Sequence, residues 1–227
     1  MNKSIFITAT DTGVGKTTVS AGLVSILKEE NKNVGYFKPI ETGCNPIPED
    51  AKLLSQITGQ PIEEAVLYTF KPPVAPYVAE KLEKKSIAVD NIISRFNLLR
   101  KKYDYLIVEG AGGVCVPITR IDGKFYTYVD LIKDFDIPVL IVSRGTLGTI
   151  NHTCMTVKIL KEEGINISGI ILNLLEINSN DISQTTNPSV IMEMTDVPVL
   201  AKCNLNIENP IKECEGNLEK IVRKIFS

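Results

Sequence analysis

The sequence has one histidine, His152, in 227 residues. A single imidazole cannot build a histidine metal cluster by itself, and a lone histidine is ordinarily a packed or capping residue. The five cysteines (Cys44, Cys115, Cys154, Cys203, Cys214) are odd in number, widely spaced and free of any C-x-x-C pair. They read as reduced thiols, several of them core residues, and not as a disulfide framework. No excess of positive charge exists: 25 Lys and Arg stand against 27 Asp and Glu, a formal net charge of -2. A nucleic-acid partner is therefore not expected. No apolar run approaches the ~20 residues that cross a bilayer. Met1-Asn2-Lys3-Ser4 leads into a strand and not into a secretory leader, so a cytoplasmic protein is expected. Repeats, low-complexity tracts and linkers are missing too, so residues 1–227 are expected to form one domain with a substantial core.

What is present centres on Thr10-Asp11-Thr12-Gly13-Val14-Gly15-Lys16-Thr17-Thr18. An apolar strand, Ile5 to Ala9, precedes it, and a helix with Leu23, Ile26 and Leu27 on one face follows. Strand, glycine turn, Lys-Thr and helix is the context of a P-loop. Gly13 and Gly15 let the backbone curl into an anion nest backed by the positive end of the helix dipole. Lys16, read as a solvent-facing loop lysine, can reach the β- and γ-phosphates, and the Thr17 hydroxyl can bind their magnesium ion. The loop departs from G-x-x-x-x-G-K-[ST], because its first glycine would fall at Thr10. Asp11 is an acid that must point away from the phosphates or be neutralised.

Further along, Asn33 to Phe37 reads as a strand beside the P-loop strand. It delivers Lys38-Pro39-Ile40-Glu41-Thr42-Gly43 to its C-terminal end, where ligands gather in parallel sheets. Asp50 opens a helix, either as an N-cap or as a carboxylate aimed at the metal. The proline-dense stretch Leu67 to Pro76 reads as a loop across the active-site face, with Pro76 starting a helix to about Glu83. Val89 to Lys102 is an amphipathic helix. Tyr105 to Val108 is a continuously apolar strand that should neighbour the first one. It ends in Glu109-Gly110-Ala111-Gly112-Gly113, an acid placed to hold the metal. Ile137 to Val142 is the next strand, followed by a loop and a helix from Thr149-Ile150-Asn151-His152 to about Glu163. The free N–H groups at that helix start form a carboxylate site. Ile167 to Leu172 is a strand ending at Asn173, whose amide can read an adenine edge. Thr195 to Leu200 holds the last strand, and Asn217 to Phe226 a helix. Three basic residues in that tail are too few to favour a membrane surface. Strands alternating with helices give an α/β fold: a doubly wound, mostly parallel sheet with helices on both faces.

Taken together, the run Thr10–Thr17, Lys38–Gly43, Asp50-Ala51, Glu109–Gly113 and Gly148–His152 resembles the dethiobiotin synthetase family over nearly the whole chain. The resemblance implies ATP-dependent closure of a cyclic urea on diaminopelargonic acid with carbon dioxide or bicarbonate, in biotin synthesis. It implies a carbamate that ATP phosphorylates before the second amine closes the ring. It implies Lys38, Lys16 and Thr12 as catalytic residues, with magnesium held by Thr17, Asp50 and Glu109. ATP would meet Gly13, Val14, Gly15, Lys16, Thr17 and Thr18, together with Asp50, Glu109, Gly110, Ala111 and Gly112, and its adenine Asn173. Thr12, Lys38 and Thr42 would face the amines or carbamate. Gly148, Thr149, Ile150 and Asn151 would receive the distant carboxylate across a homodimer interface.

Three positions depart from that family's pattern: Ala9 replaces a glycine, Tyr77 a histidine, and Lys202-Cys203-Asn204 the usual adenine loop. The choice of nucleotide is thus left open. The rival reading is a partitioning-type P-loop ATPase switch, which would carry a lysine where this chain has Asp11. An amidoligase with a glutaminase domain would need a longer chain.

Overall fold

The computed structural model describes residues 3–175, 180–204 and 220–226. It begins with β1 (Lys3–Ala9), α1 (Lys16–Glu29), β2 (Val34–Thr42), α2 (Glu49–Thr58), α3 (Ile62–Ala65) and β3 (Val66–Phe70). Then come α4 (Pro76–Glu83), α5 (Val89–Lys102), β4 (Tyr105–Gly113), β5 (Pro117–Ile121), β6 (Lys124–Thr127) and α6 (Tyr128–Phe135). The series ends with β7 (Val139–Arg144), α7 (Thr149–Glu162), β8 (Ile167–Leu175), α8 (Ile182–Thr195) and β9 (Val199–Asn204), and a further helix covers 220–226.

Seven strands form one sheet in the order β3-β2-β4-β1-β7-β8-β9, every neighbouring pair parallel. Successive side chains of a strand face opposite sides. Phe6, Leu106, Val108, Val139, Ile141 and Ile170 thus enter one core, under α4 to α8. Ile5, Ile7, Ile107, Leu140, Val142 and Ile171 enter the other, under α1, α2 and 220–226. Continuous apolar strands are the consequence of being covered on both faces. The fold is the α/β, P-loop-like arrangement expected.

Several local expectations need correction. β2 does not neighbour the P-loop strand; β4 lies between β1 and β2. The stretch from Leu67 is not all loop, because Val66–Phe70 is an edge strand with alternating burial. Its prolines all follow Phe70, so no ladder hydrogen bond is lost. The last sheet strand is Val199–Asn204, and Thr195 instead closes α8. Residues 217–219 of the tail helix lie outside the described residues, as does Cys214.

Nothing in the sequence reading placed the β5–β6 hairpin, α6 or α8. The hairpin has a local signal, Asp122-Gly123, with φ of 50° and 80° as a two-residue turn requires. For α6 there is a capping box between Thr127 and Asp130. α8 has little signal: Pro188 sits inside it and Gln184 to Asn187 are all polar.

Candidate active site

β1 ends in the middle of the sheet, and the chain then curls through Gly13 (φ 71°) and Gly15 (φ 91°) into α1. A Cβ on Gly15 would sit 2.0 Å from Asn173 Nδ2, so glycine is required there by space as well as by φ. Asn173 donates from Nδ2 to the Val14 carbonyl at 2.8 Å, so β8 holds the loop from beneath. No side chain caps α1 and no acid occupies its first turn. Its N–H groups and dipole therefore present an anion site.

Next to this loop lies a knot of charge. Glu109 lies in the middle of β4, which runs on to Gly113 and does not end before Glu109 as expected, and it is fully buried. Its Oε1 accepts from Thr17 Oγ1 at 3.0 Å and Lys38 Nζ at 3.0 Å, and its Oε2 from Ser20 Oγ at 2.7 Å. Lys38 also donates to Asp50 Oδ2. Burial by itself would lower the Lys38 pKa, but the Glu109 and Asp50 carboxylates outweigh it and hold the ammonium well above its ordinary value. Lys16 goes the other way: burial lowers its pKa, and the Lys38 charge adds to the lowering against the pull of Glu109. At 7% exposure Lys16 is buried, not the solvent-facing lysine expected.

Asp50 is not the N-cap of α2; Pro48 holds that position, without a side-chain bond. Glu41 takes its place, accepting from the Asp50 and Ala51 N–H groups at 3.0 Å each. Neither Ser20 nor Glu41 was singled out from sequence. Ser20 lies three residues after Thr17, a spacing that puts both on one helical face. Glu41 bonds across a loop and leaves no such signature.

A cleft of about 660 Å³ opens here. Thr12, Gly13, Gly15, Lys16, Thr17 and Thr18 line one side of it. Lys38, Thr42, Asp50, Glu109, Ala111 and Gly112 line the other. The loop Pro73-Val74-Ala75 borders it, as does Leu174, which adopts φ 59°. Gly110 faces the Phe6 and Tyr128 rings instead. Val14, Gly148 and Thr149 line a separate cleft of about 160 Å³ with Asp11, Arg144 and His152. Asp11 thus turns away from the larger cleft. Ile150 packs against the core, and Asn151 is exposed. Behind the smaller cleft lies a cluster of hydroxyls: Ser143 meets Thr10 at 3.1 Å, Thr149 at 2.6 Å and Thr153 at 2.8 Å. Of the departures, Ala9 is buried in the sheet and Asn204 ends β9. Tyr77 makes an edge contact with Phe125 of the hairpin, with Lys81 4.8 Å from its ring centroid.

This geometry can be set beside known proteins. A family model described as "AAA domain" matches residues 3–208. An ATP-dependent dethiobiotin synthetase of Aquifex aeolicus is 46% identical over 193 residues, 85% of each chain. The chain belongs to the dethiobiotin synthetase family. Members from Thermodesulfovibrio yellowstonii and Bacillus subtilis are 41% and 40% identical, the first over 88% of both chains. Among solved structures, the septum site-determining protein MinD from Pyrococcus horikoshii, complexed with Mg-ADP, superposes with a TM-score of 0.57. It is 16% identical, with 99% of this chain and 96% of that one covered. A ParA family ATPase from Chlorobium tepidum gives 0.55 at 15% identity, covering 100% and 98%. At such identities the likeness is one of fold.

The residues of this family member suit a magnesium nucleotide. Thr17, Asp50 and Glu109 offer a hydroxyl and two carboxylates, the hard oxygen donors that magnesium takes, and here the Lys38 ammonium pairs with both carboxylates. Among the described residues, no cluster of three or more His, Cys, Asp or Glu forms. No helix among them is long and apolar enough to cross a membrane.

Proposed function

We propose that this chain is an ATP-dependent ligase that closes the cyclic urea of dethiobiotin on diaminopelargonic acid, in biotin biosynthesis. One observation carries the reading: Lys16, Lys38, Asp50 and Glu109 line one cleft beside an anion nest, in a chain 46% identical to a dethiobiotin synthetase. In the first step a substrate amine takes up carbon dioxide and loses a proton, giving a carbamate. A carbamate oxygen attacks the γ-phosphorus of ATP, the bond to ADP breaks, and a carbamic-phosphoric anhydride remains. The second amine attacks the carbamoyl carbon, phosphate leaves, and the ring closes with loss of a proton.

Carbamate and γ-phosphate are both anionic, so their approach needs cations. Lys16 would neutralise the phosphates from the loop, and Lys38 would meet the carbamate and the transferring phosphoryl group together. Magnesium, held by Thr17, Asp50 and Glu109, would supply Lewis-acid stabilisation of the β- and γ-phosphate charge. Thr12 and Thr42 line the same cleft and would hold the reacting amines. Gly13, Val14, Gly15 and Thr18 would wrap the phosphates with Ala111 and Gly112, which line the cleft, whereas Gly110 faces away from it. Asn173, its Nδ2 already given to the Val14 carbonyl, would offer its Oδ1 to the adenine. Gly148 to Asn151 would receive the distant carboxylate. Leu147, just before them, is 86% exposed, which supports a second copy covering that face in a homodimer. Residues 1–227 act as one catalytic unit in this reading, in the cytoplasm.

The test is ATP turnover with and without the diamine and bicarbonate, with product identified by mass spectrometry. Dethiobiotin should form only when all three are present. Equal ATP hydrolysis without the diamine would replace this reading with a switch ATPase.

A further inference from the structure

Helix α2 delivers Asp50 to the cleft from its second residue, yet its own sequence gives it no cap. The four N-terminal N–H groups of a helix need partners, and an Asp, Asn, Ser or Thr at the N-cap ordinarily supplies one. Here Pro48 stands at the N-cap and has no side-chain oxygen to offer. The partner comes from β2 instead. Glu41 is 5% exposed, and its two oxygens accept the Asp50 and Ala51 N–H groups at 3.0 Å each. It does not line the cleft. Three residues before it, the same strand carries Lys38, whose ammonium binds the Asp50 carboxylate. The Asp50 side chain is 35% exposed, so packing alone does not fix it. One short segment of β2 thus holds Asp50 twice, by backbone and by side chain.

We propose that Glu41 is a positioning residue: its carboxylate clamps the start of α2 so that the Asp50 carboxylate stays aimed at the metal of the nucleotide complex. The proposal rests on the reading of Asp50 as a metal-binding carboxylate. Groups that orient a metal ligand typically set ~10–100-fold of metal affinity when removed. Glu41→Ala risks unfolding the start of α2, so the near-isosteric Glu41→Gln is the main variant. It keeps one acceptor and turns an amide donor against the other N–H.

The experiment is calorimetric titration of magnesium into the full-length protein with ADP, for wild type, Glu41→Gln, Asp50→Asn and the double variant. ADP binding without metal and thermal melting serve as controls. Glu41→Gln should weaken magnesium binding by ~10-fold or more, with metal-free ADP affinity unchanged. The double variant should bind magnesium no more weakly than Asp50→Asn alone, because Glu41 acts through Asp50. Three results would overturn the proposal. If Asp50→Asn weakens magnesium binding and Glu41→Gln does not, Glu41 is only a helix cap. Additive losses in the double variant would mean that Glu41 acts elsewhere. Should Asp50→Asn itself leave magnesium affinity intact, the metal reading of Asp50 fails first and takes the proposal with it.

Discussion

Removing the Lys38 ammonium should damage stability and chemistry by separable amounts. Lys38 is 4% exposed and Glu109 fully buried, so Lys38→Ala leaves a buried carboxylate that has lost its paired ammonium and keeps the Thr17 and Ser20 hydroxyls as donors, with the Lys16 charge near by. Breaking one side of a buried ion pair costs about 3–5 kcal/mol. In a protein of this size each kcal/mol moves the melting temperature by about 2–4 °C, so a fall of roughly 6–20 °C is expected without nucleotide. Lys38→Gln, of similar reach but uncharged, should fall nearly as far. A Lys38→Met/Glu109→Gln pair should recover much of the lost stability, since neither partner is then left charged and unpaired. Catalysis should not recover with it. Losing one preorganised electrostatic donor lowers kcat by ~100-fold or more, about 2.7 kcal/mol of transition-state stabilisation. Nucleotide affinity should change far less, because Lys16 and the backbone nest remain. The assays are thermal melting by circular dichroism, and dethiobiotin formation from diamine, bicarbonate and ATP at a temperature where each variant is folded. Wild-type melting and wild-type turnover in Lys38→Gln would refute the reasoning, leaving Lys38 as a strand residue with no part in the site.

Other outcomes follow from the same geometry. Lys16→Met should abolish turnover yet raise the melting temperature of the nucleotide-free protein by ~2–4 °C, about 1 kcal/mol, because a buried ammonium is removed. The sign follows from its lowered pKa: the burden on the folded state is full below the folded-state pKa of Lys16 and is relieved as pH rises from there towards the unfolded value near ~10.4. Lys16→Met should therefore gain most at neutral pH, and a variant less stable than wild type there would contradict this. Gly15→Ala should destroy nucleotide binding in a calorimetric titration, since its Cβ would meet Asn173 Nδ2 at 2.0 Å and its φ is 91°. Burial pushes the Cys44 thiol up to about 11. Timed alkylation at pH 8 read by mass spectrometry should label exposed Cys115 well before Cys44, and equal rates would count against the buried site.

By itself the sequence determined what depends on neighbours in the chain. Gly13, Gly15 and Lys16 between a strand and a helix specify an anion nest, because φ freedom and the helix dipole are local properties. The strand-helix alternation and the doubly covered sheet follow from hydrophobic period. Lys38 and Glu109 were legible because each follows an apolar run, but the strands do not end there as expected: they run on to Thr42 and Gly113, and the parallel register of β2 with β4 sets the two side by side at mid-strand. The Asp122-Gly123 turn was equally local and simply went unread. Only the tertiary structure decided which strands meet. β4 separates β1 from β2, and that order, not adjacency to the P-loop strand, is what brings Lys38 onto Glu109. It also made Lys16 a buried charge, set Asn173 beneath Val14 across 159 residues, and turned Glu41 into the cap of a helix nine residues on. These contacts depend on how separate elements pack, and packing side by side is a property of the whole sheet that no window of the chain contains.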